Sequence, residues 1–230
     1  MTLTEVMTML ESMGTEQNRK TYARHGVTGK QFGVSFANLG KLQKKIKCDH
    51  KLALELWETD NHDARCLATM IADPVAMKEK DLDTWIENVQ QHMQASLVVQ
   101  SVAAKSPFAR ILGERWLESE KEYVAQAGWM LSGLIAMNTP GMPDEHFERR
   151  LEYIEKHIHH ERNRVRYAMN NAVIAIGLRN PRLQKLALAT AARIGKVEVD
   201  HGDTSCKTPD AAAYILKASK RAKAKKAVAK

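Results

Sequence analysis

The spacing of apolar residues is the feature that most constrains the fold. Over most of the chain, apolar side chains recur three and four residues apart, and a capping residue, Gly or Pro interrupts the pattern every 10 to 18 residues. Such spacing places the apolar groups on one face of a helix. No alternating β pattern competes with it, and the low content of Gly (12), Pro (6) and aromatic residues (6%) argues against a turn-rich β fold. The sequence therefore predicts an all-α protein.

Ten amphipathic helices are predicted upstream of residue 195, followed by a short helix at residues 211–218. The first three begin near Ser35, Asp49 and His62, and the others span residues 82–89, 97–104, 107–117, 121–137, 145–159, 162–178 and 181–194. Short connections between amphipathic helices indicate antiparallel pairs stacked side by side. Such stacking is typical of the α-α superhelix of HEAT and armadillo proteins, and an irregular helical bundle is the alternative that periodicity leaves open.

The charge of the chain is concentrated at its end. We assign residues 1–210 to one HEAT-like repeat domain and residues 211–230 to the short helix and a basic, Ala/Lys-rich tail. This last segment holds seven of the 35 Lys and Arg residues and no Asp or Glu, so the remaining 28 basic residues face 27 acidic ones. Its end, residues 220–230, is expected to be a frayed helix or disordered. The net charge of +8 therefore does not by itself make the body a nucleic-acid binder.

Cysteine content and hydropathy exclude several classes of protein. Cys48, Cys66 and Cys206 are odd in number and widely spaced, which fits neither a disulfide framework nor a zinc finger. No apolar run approaches the roughly 18 residues of a membrane span, and residues 1–14 lack the features of a signal peptide. We therefore expect a cytoplasmic protein with reduced thiols, no membrane contact and no cofactor. The oligomeric state is left open.

Several short motifs occur in an order and spacing that point to one family. They are Phe32-Gly33-Val34, Asp49-His50-Lys51-Leu52-Ala53-Leu54-Glu55-Leu56-Trp57, His62-Asp63-Ala64-Arg65, Tyr123-Val124-Ala125-Gln126-Ala127, Arg166-Tyr167-Ala168-Met169-Asn170-Asn171-Ala172 and Arg179-Asn180-Pro181. Together they resemble the DNA alkylation repair (AlkD-like) family over roughly residues 30–193. The resemblance implies a HEAT-like solenoid whose basic concave face binds duplex DNA and releases cationic alkylated purines.

The same resemblance identifies the positions that would carry out the chemistry. In that family a carboxylate stabilises the oxocarbenium-like sugar, an Arg holds backbone phosphate and two Trp rings pack against the deoxyribose. The family's Trp-x-x-x-Asp pair corresponds here to Ser96 and Gln100, its Arg to Gln126 and its second Trp to Asn171. Because Gln cannot carry the negative charge that stabilises an oxocarbenium ion, we expect excision by this mechanism to be lost or greatly weakened. Whether the chain is an enzyme is left open.

Candidate DNA-binding residues lie in three basic groups. The densest comprises Arg162, Arg164 and Arg166, flanked by His157, His159, His160 and Arg179. On a helix Arg162 and Arg166 share a face, so both can reach one phosphate track, whereas a solvated helix start paired with Glu161 or Glu155 is the alternative. The second group is Lys105 and Arg110, which flank a predicted helix start at Ser106-Pro107, a natural anion site. The third is Lys44 and Lys45, which serve equally well for solubility alone.

Two further polar features carry weaker predictions. Asn170 and Asn171 interrupt an otherwise apolar helix, so at least one amide requires a partner, in a pocket or in a neighbouring loop. Residues 200–207 gather a thiol, an imidazole and two carboxylates, which can form a nucleophile pair or a metal site but more simply form a polar turn that caps the next helix through Thr208 and Asp210. The His cluster lacks matched ligands, and we predict no metal site.

Three functions follow as hypotheses. The first is a DNA-binding module, for duplex or branched DNA, that keeps the family shape without excising bases. The second is a glycosylase whose chemistry has moved to the loop at residues 200–207 or to Gln126 and Asn171. The third is a protein-interaction solenoid, to which a nearly neutral body is no obstacle.

Overall fold

The structure, a computed structural model, describes residues 1–228 of the chain. These residues form thirteen α-helices and no β-strand, so the all-α prediction is confirmed. The helices are α1 (Leu3–Met13), α2 (Glu16–Arg24), α3 (Phe36–Ile46), α4 (His50–Glu58), α5 (His62–Ile71), α6 (Glu79–Glu87), α7 (His92–Leu97), α8 (Ala109–Leu117), α9 (Glu122–Asn138), α10 (Asp144–His157), α11 (Asn163–Gly177), α12 (Pro181–Ile194) and α13 (Ala211–Val228).

Capping side chains fix several helix starts where the sequence predicts them. The Ser35 hydroxyl accepts the Asn38 N–H at the start of α3, and Asp49 accepts the Leu52 N–H at the start of α4. Asn180 does the same for Leu183 at the start of α12. Each side-chain oxygen satisfies one of the N–H groups that a helix leaves unpaired in its first turn, which is why these starts are legible in the sequence.

Four segments differ from the sequence-based prediction. Helices α1 and α2 were not predicted, although Thr2 and Thr15 cap both of them. Residues 97–104, predicted as one helix, are the end of α7, a π-helical turn (Val98–Val102) and a 3₁₀ turn (Ala103–Lys105). Helix α8 begins at Ala109 rather than at residue 107, because residues 106–108 form a turn in which the Ser106 hydroxyl accepts the Phe108 N–H.

The last helix is longer than expected. Helix α13 continues to Val228, ten residues past the predicted end at residue 218, so the backbone of the predicted tail is helical as far as it is described. A run of Ala and Lys has high helix propensity, which outweighs the absence of a continuous apolar stripe. Residues 229–230 of that tail lie outside the described residues.

The chain divides into two compact units. The N-terminal unit comprises Met1–Leu112 with His201–Ser205, and the C-terminal unit comprises Gly113–Asp200 with Cys206–Lys230. Within the described part of the chain, no helix combines the length and the apolar character that a membrane crossing requires.

A buried carboxylate organises the N-terminal unit. Asp63 is fully buried, and its two oxygens accept the backbone N–H groups of Phe32, Gly33 and Val34 at 2.6 to 3.1 Å. Gly33 has a positive φ of 80°, and a Cβ on it would lie 2.5 Å from the carbonyl oxygen of Thr15. The Phe32-Gly33-Val34 and His62-Asp63-Ala64-Arg65 motifs are therefore two halves of one structural anchor.

A buried arginine completes this anchor on the other side of α5. Arg65 donates from Nε to the Trp57 carbonyl at 3.1 Å and from Nη1 to the Asn88 carbonyl at 3.0 Å. Its guanidinium pairs with Asp60 at 2.9 Å and lies over the Trp57 ring, which stacks on Trp85 at 4.3 Å. Paired and hydrogen-bonded in this way, a buried charge is tolerated and fixes the neighbouring elements.

The core of the C-terminal unit lies around α9 and α11. Buried apolar side chains from α9, α10, α11 and α12 form one cluster, with Trp129, Phe147 and Met169 among its largest members. Gly128 lets α9 approach the end of α8, since a Cβ there would lie 2.5 Å from the backbone nitrogen of Leu117. Such packing fixes the backbone of α11, which carries two of the predicted DNA-binding residues, Arg164 and Arg166, while Arg162 is its N-cap residue.

Candidate nucleic-acid interface

The three arginines at the start of α11 have different environments. Arg162 is the N-cap residue, and its guanidinium donates to the backbone carbonyls of Ser119, at 3.0 Å, and Glu120. It also lies 3.7 Å from a Glu161 oxygen. Two carbonyl acceptors and a carboxylate already occupy this guanidinium, so Arg162 joins the start of α11 to the segment between α8 and α9.

Arg164 and Arg166 leave their guanidinium groups free of hydrogen bonds and ion pairs with any described residue. The backbone N–H of Arg164 donates to Glu122 at 2.7 Å, and its side chain lies near Tyr123. Arg166 is half-buried, and its Nε atom is inaccessible to solvent yet has no protein acceptor. A guanidinium that is partly desolvated without a counter-charge favours an anionic ligand. Of the predicted arginines, only Arg166 has a guanidinium nitrogen that is inaccessible to solvent and lacks an acceptor among the described residues.

The groups that flank these arginines serve the fold. Arg179 donates to the carbonyls of Ala136, Thr139 and Met142 at 2.6 to 3.0 Å, and its guanidinium lies 4.7 Å from the Phe147 ring centre. His159 makes a 2.9 Å hydrogen bond with the Ile194 carbonyl. These contacts close the loop after α9 and the end of α12. Among the described residues no cluster of three or more side chains is arranged to hold a metal ion.

Two of the four positions that the resemblance assigns to the chemistry, Gln126 and Asn171, lie in the C-terminal unit. Gln126 is buried on α9, and its Nε2 lies 3.6 Å from the sulfur of Met130. Asn171 is half-buried on α11, and among the described residues it makes no side-chain hydrogen bond. The neighbouring Asn170 is buried and donates to the Pro209 carbonyl at 2.9 Å. The structural amide of the pair is therefore Asn170, which leaves Asn171 available to a ligand.

The other two of these positions, Ser96 and Gln100, lie in the N-terminal unit. Ser96 is half-buried on α7 and returns its hydroxyl to the His92 carbonyl at 3.0 Å. Gln100 is exposed in the π-helical turn. A π-helical turn is wider than an α-helical one and occurs often at functional sites. It also changes the face on which Gln100 lies relative to Ser96, compared with two residues four apart on a regular helix.

The remaining basic candidates lie on the surface of the N-terminal unit. Lys44 and Lys45 occupy the last turn of α3, where a positive charge interacts favourably with the helix dipole. Lys105 ends the 3₁₀ turn and Arg110 lies in the first turn of α8. All four are exposed and make no hydrogen bond or ion pair with the described residues. Because α8 begins two residues later than predicted, Ser106 is a turn residue and not the cap of an anion-binding helix start.

The polar loop at residues 200–207 is held by its backbone. Asn163 and Asp200 exchange two hydrogen bonds, from Nδ2 to the Asp200 carbonyl at 2.8 Å and from the Asp200 N–H to Oδ1 at 2.7 Å. Asp210 accepts the Ala213 N–H at 2.8 Å, so it caps α13 as predicted. Cys206 is exposed. The loop belongs in part to each unit.

Sequence reasoning overlooked one feature of the N-terminal unit. A cavity of about 440 Å³ lies beside α3, α5 and the π-helical turn, and Lys105 is the only predicted site residue among its lining residues. Phe36 and Gln43 of α3 also line it. The available signal was Gly40, a glycine in the interior of an otherwise amphipathic helix, where it costs stability unless space is needed.

Comparisons with known proteins agree with this arrangement. The family model described as DNA alkylation repair enzyme matches residues 6–215. Relatives include the uncharacterized proteins Lin0241 of Listeria innocua and Lmo0209 of Listeria monocytogenes, each 28% identical over 96% of this chain and covered to 98% and 99% of their own length. Neither of these names records a function.

A solved structure adds the fold. It is described as a new family of proteins related to the HEAT-like repeat DNA glycosylases with affinity for branched DNA structures. It is 31% identical to this chain, with a TM-score of 0.86 over 96% of this chain and 95% of its own. The predicted HEAT-like class and the AlkD-like resemblance are thereby confirmed. The chain belongs to the DNA alkylation repair enzyme family, with the HEAT-like repeat fold of the glycosylase-related proteins.

Proposed function

We propose that this chain binds branched DNA and does not excise alkylated bases by the glycosylase family's chemistry. The observation that supports binding of branched DNA is the similarity, over nearly the full length of both chains, to a protein of a family described as having affinity for branched DNA structures. A likeness of 31% identity with a TM-score of 0.86 extends to the backbone that presents the surface side chains.

The proposed phosphate contact in the C-terminal unit is Arg166. Its Nε has no protein acceptor within the described residues, and its side chain is half-buried on a helix whose backbone is fixed by the core. A phosphate oxygen supplies both the missing acceptor and the missing charge. Arg164 can add a second contact from another face of α11, whereas Arg162 is engaged by backbone carbonyls.

The loss of excision is proposed from the side chains at the family positions. Gln100 offers an amide where the mechanism requires a carboxylate, and it is exposed to water, which weakens electrostatic stabilisation of a developing charge. The buried Gln126 has no charge with which to hold a phosphate. Asn171 has no aromatic ring to pack against deoxyribose.

The test is binding of a labelled four-way junction, a fork and a matched linear duplex over a series of salt concentrations. We expect the junction and the fork to bind more tightly than the duplex, with a slope of log affinity against log salt that reflects the phosphates contacted. Arg166→Ala should lower affinity for all three and reduce the slope by about one phosphate contact. Arg193→Ala is the matched control, because Arg193 is neutralised by a two-bond pair with Glu155 at 2.6 and 2.7 Å.

The other two hypotheses are outcomes of the same experiment. Absence of binding to every DNA at low salt would overturn the proposal and favour the protein-interaction solenoid. Equal affinity for branched and linear DNA would overturn the preference for branches alone. Release of alkylated bases from an alkylated duplex, assayed beside the binding, would restore the enzyme hypothesis.

A further inference from the structure

We propose that the 440 Å³ cavity of the N-terminal unit binds an unpaired nucleobase at a DNA branch point. This inference rests on the proposed branched-DNA function and names the part of the DNA that the N-terminal unit recognises. The volume lies within the roughly 300–1,000 Å³ of small-molecule sites in proteins.

The walls of the cavity suit a flat, aromatic ligand with polar edges. Phe36 and Leu97 supply apolar surface, and the Phe36 side chain is 39% exposed although the ring is large and hydrophobic. An aromatic face is the usual platform on which proteins stack single nucleobases, whatever their sequence. An exposed phenylalanine at the edge of a cavity is therefore placed to stack on a base that enters it.

Polar groups on the same walls have hydrogen-bonding capacity left over. Gln43 donates from Nε2 to the Met70 carbonyl at 3.1 Å, which fixes the amide while its Oε1 accepts nothing from the described residues. The Ser101 hydroxyl and the Lys105 ammonium likewise have no protein partner within the described part of the chain. The first two can bond to the edge of a base, and Lys105 can pair with the attached phosphate.

A glycine of α3 lies close in sequence to two of the lining residues. Phe36 and Gln43 line the cavity, and Gly40 follows Phe36 by four residues and precedes Gln43 by three, which places it on the same face of α3. A Cβ added to Gly40 would meet no atom within 4 Å, so the helix gives up the stability of an alanine without any crowding to avoid. A space that the protein's own side chains leave unfilled is consistent with a ligand that occupies it.

A cavity in the C-terminal unit does not have these properties. It has a volume of about 550 Å³. Its polar lining is already paired, since Arg179 donates to three carbonyls and Asn180 donates to Asp144 at 2.9 Å. The cavity of the N-terminal unit differs from it in having hydrogen-bonding groups on its wall that the protein leaves unused.

Branched DNA supplies the occupant at little cost. Taking a base out of a duplex requires unstacking and unpairing, a cost that is smallest for a base that is already unpaired. Forks and three-way branches with extra nucleotides contain unpaired bases, and the base pairs at a branch point lack a continuous stack, whereas the bases of a linear duplex are paired and stacked. Recognition of one such base therefore discriminates a branch from a duplex without reading sequence.

The test compares two three-way branches that differ only in their bases. One carries two unpaired thymidines at the branch and the other carries two abasic nucleotides, so that the number of phosphates and the strand length are matched. We expect the wild-type protein to bind the thymidine branch about 5- to 100-fold more tightly, which is the range of base stacking on an aromatic side chain. Phe36→Leu, which removes the ring, should abolish this difference, and Gly40→Leu, which adds a large side chain on the same face of α3 as Phe36 and Gln43, should reduce it.

Controls separate the cavity from DNA binding in general. Lys105→Gln should weaken binding of both branches and reduce the salt slope, whereas Lys80→Gln, an exposed lysine of α6 outside the cavity lining, should do neither. Circular dichroism checks that each variant keeps the wild-type helix content. If the wild-type protein binds both branches equally, the base-binding cavity is wrong and branched-DNA binding stands. If it binds neither, the proposed function itself fails.

Discussion

His62 illustrates how a single buried residue acquires a definite protonation state. The Gln94 side chain accepts the Gln90 N–H on Oε1, so its Nε2 donates to Nδ1 of His62 at 3.2 Å. The imidazole must therefore be neutral, with its proton on Nε2, which faces the Cys66 sulfur at 3.7 Å. Burial lowers the pKa of His62, while the neighbouring Asp63 carboxylate opposes that shift.

The stability of the N-terminal unit should consequently fall in mild acid. Because the folded-state pKa of His62 lies below that of the unfolded chain, near 6.5, the unfolded state binds more protons as the pH drops below that value. We expect a loss of up to about 1.4 kcal/mol in unfolding free energy per pH unit from this group. Urea unfolding between pH 7 and 5 measures it. The slope should diminish in His62→Phe and persist in His25→Phe, and an unchanged slope in His62→Phe would contradict the assignment.

Asp63 carries the second prediction at this scale. Replacement by Asn keeps the shape but turns one acceptor oxygen into a donor that faces backbone N–H groups. Since hydrogen bonds to a buried charge are stronger than neutral ones, Asp63→Asn should cost roughly 2–4 kcal/mol of unfolding free energy. Asp73→Asn is the matched control, because Asp73 is half-buried and accepts one N–H, from Val75. Equal effects of the two changes would show that the anchor is not needed.

The sequence shows which residues of the candidate surface are basic, but it does not show the role of each one. A run of Arg162, Arg164 and Arg166 is visible in the sequence, but periodicity treats the three as alike. Their roles separate only when distant backbone carbonyls, such as those of Ser119 and Glu120, are brought to Arg162 by the fold. Contacts across more than 40 residues leave no local signal. For the same reason the sequence does not show that Arg179 donates to the carbonyls of Ala136, Thr139 and Met142.

At the scale of elements, helix starts were predictable where a local side chain defines them. Ser35, Asp49 and Asn180 each cap the helix that follows, and each is followed by an apolar period. The π-helical turn at Val98–Val102 was not predictable, since its residues have the spacing of an ordinary helix. Here tertiary packing, with Val98, Val99 and Val102 all buried, overrides the local pattern.

The first turns of helix α13 pack against the core of the C-terminal unit, whereas most of the basic residues that follow residue 210 come after residue 219. Its buried residues, Ala211 and Ile215, lie in its first two turns, and a Cβ on Gly177 of α11 would come within 2.7 Å of the Ile215 side chain. Ser219 adds a hydrogen bond from Gln184. Everything that anchors the helix among the described side chains therefore precedes residue 220.

Deletion of residues 220–230 should leave the fold intact. The unfolding midpoint is expected to change little, whereas affinity for linear duplex should fall, because the deleted segment carries six of the seven basic residues that follow residue 210. Thermal unfolding and duplex binding at two salt concentrations measure both effects. Ile215→Ala is the contrasting variant, with an expected loss of about 2–4 kcal/mol for a large-to-small change in a core. Unfolding on truncation would show that the tail helps to hold α13.

At the scale of the whole molecule, the sequence predicted the class of fold but not its division. Amphipathic helices with short connections predict helical pairs, which the HEAT-like likeness bears out. No Gly-, Pro- or Ser-rich linker marks the boundary at Leu112, and His201–Ser205 joins the N-terminal unit from far along the chain. Because the composition does not change at this boundary, neither composition nor the spacing of apolar residues predicts it. Residues 1–210 therefore read as a single repeat domain.

The chemistry of base release depends on a few side chains, whatever the charge of the whole chain. By the sequence resemblance, Gln100, Gln126 and Asn171 correspond to the family's carboxylate, arginine and tryptophan, and loss of one such electrostatic stabiliser slows catalysis roughly 10²- to 10³-fold. We therefore expect the wild-type protein to release little or no 7-methylguanine or 3-methyladenine from alkylated duplex.

Restoring the carboxylate alone should not rescue that reaction. In Gln100→Asp the new charge is placed in an exposed π-helical turn, without the phosphate-holding arginine or the ring that packs against the sugar, so the groups that act together in the family are still incomplete. Base release over hours, measured by chromatography at saturating protein with an active glycosylase as reference, should stay at the uncatalysed rate for both proteins. Robust release by the wild-type chain would overturn this conclusion. If that release then disappeared in Cys206→Ala or His201→Ala, the reacting groups would lie in the polar loop and not at the family positions.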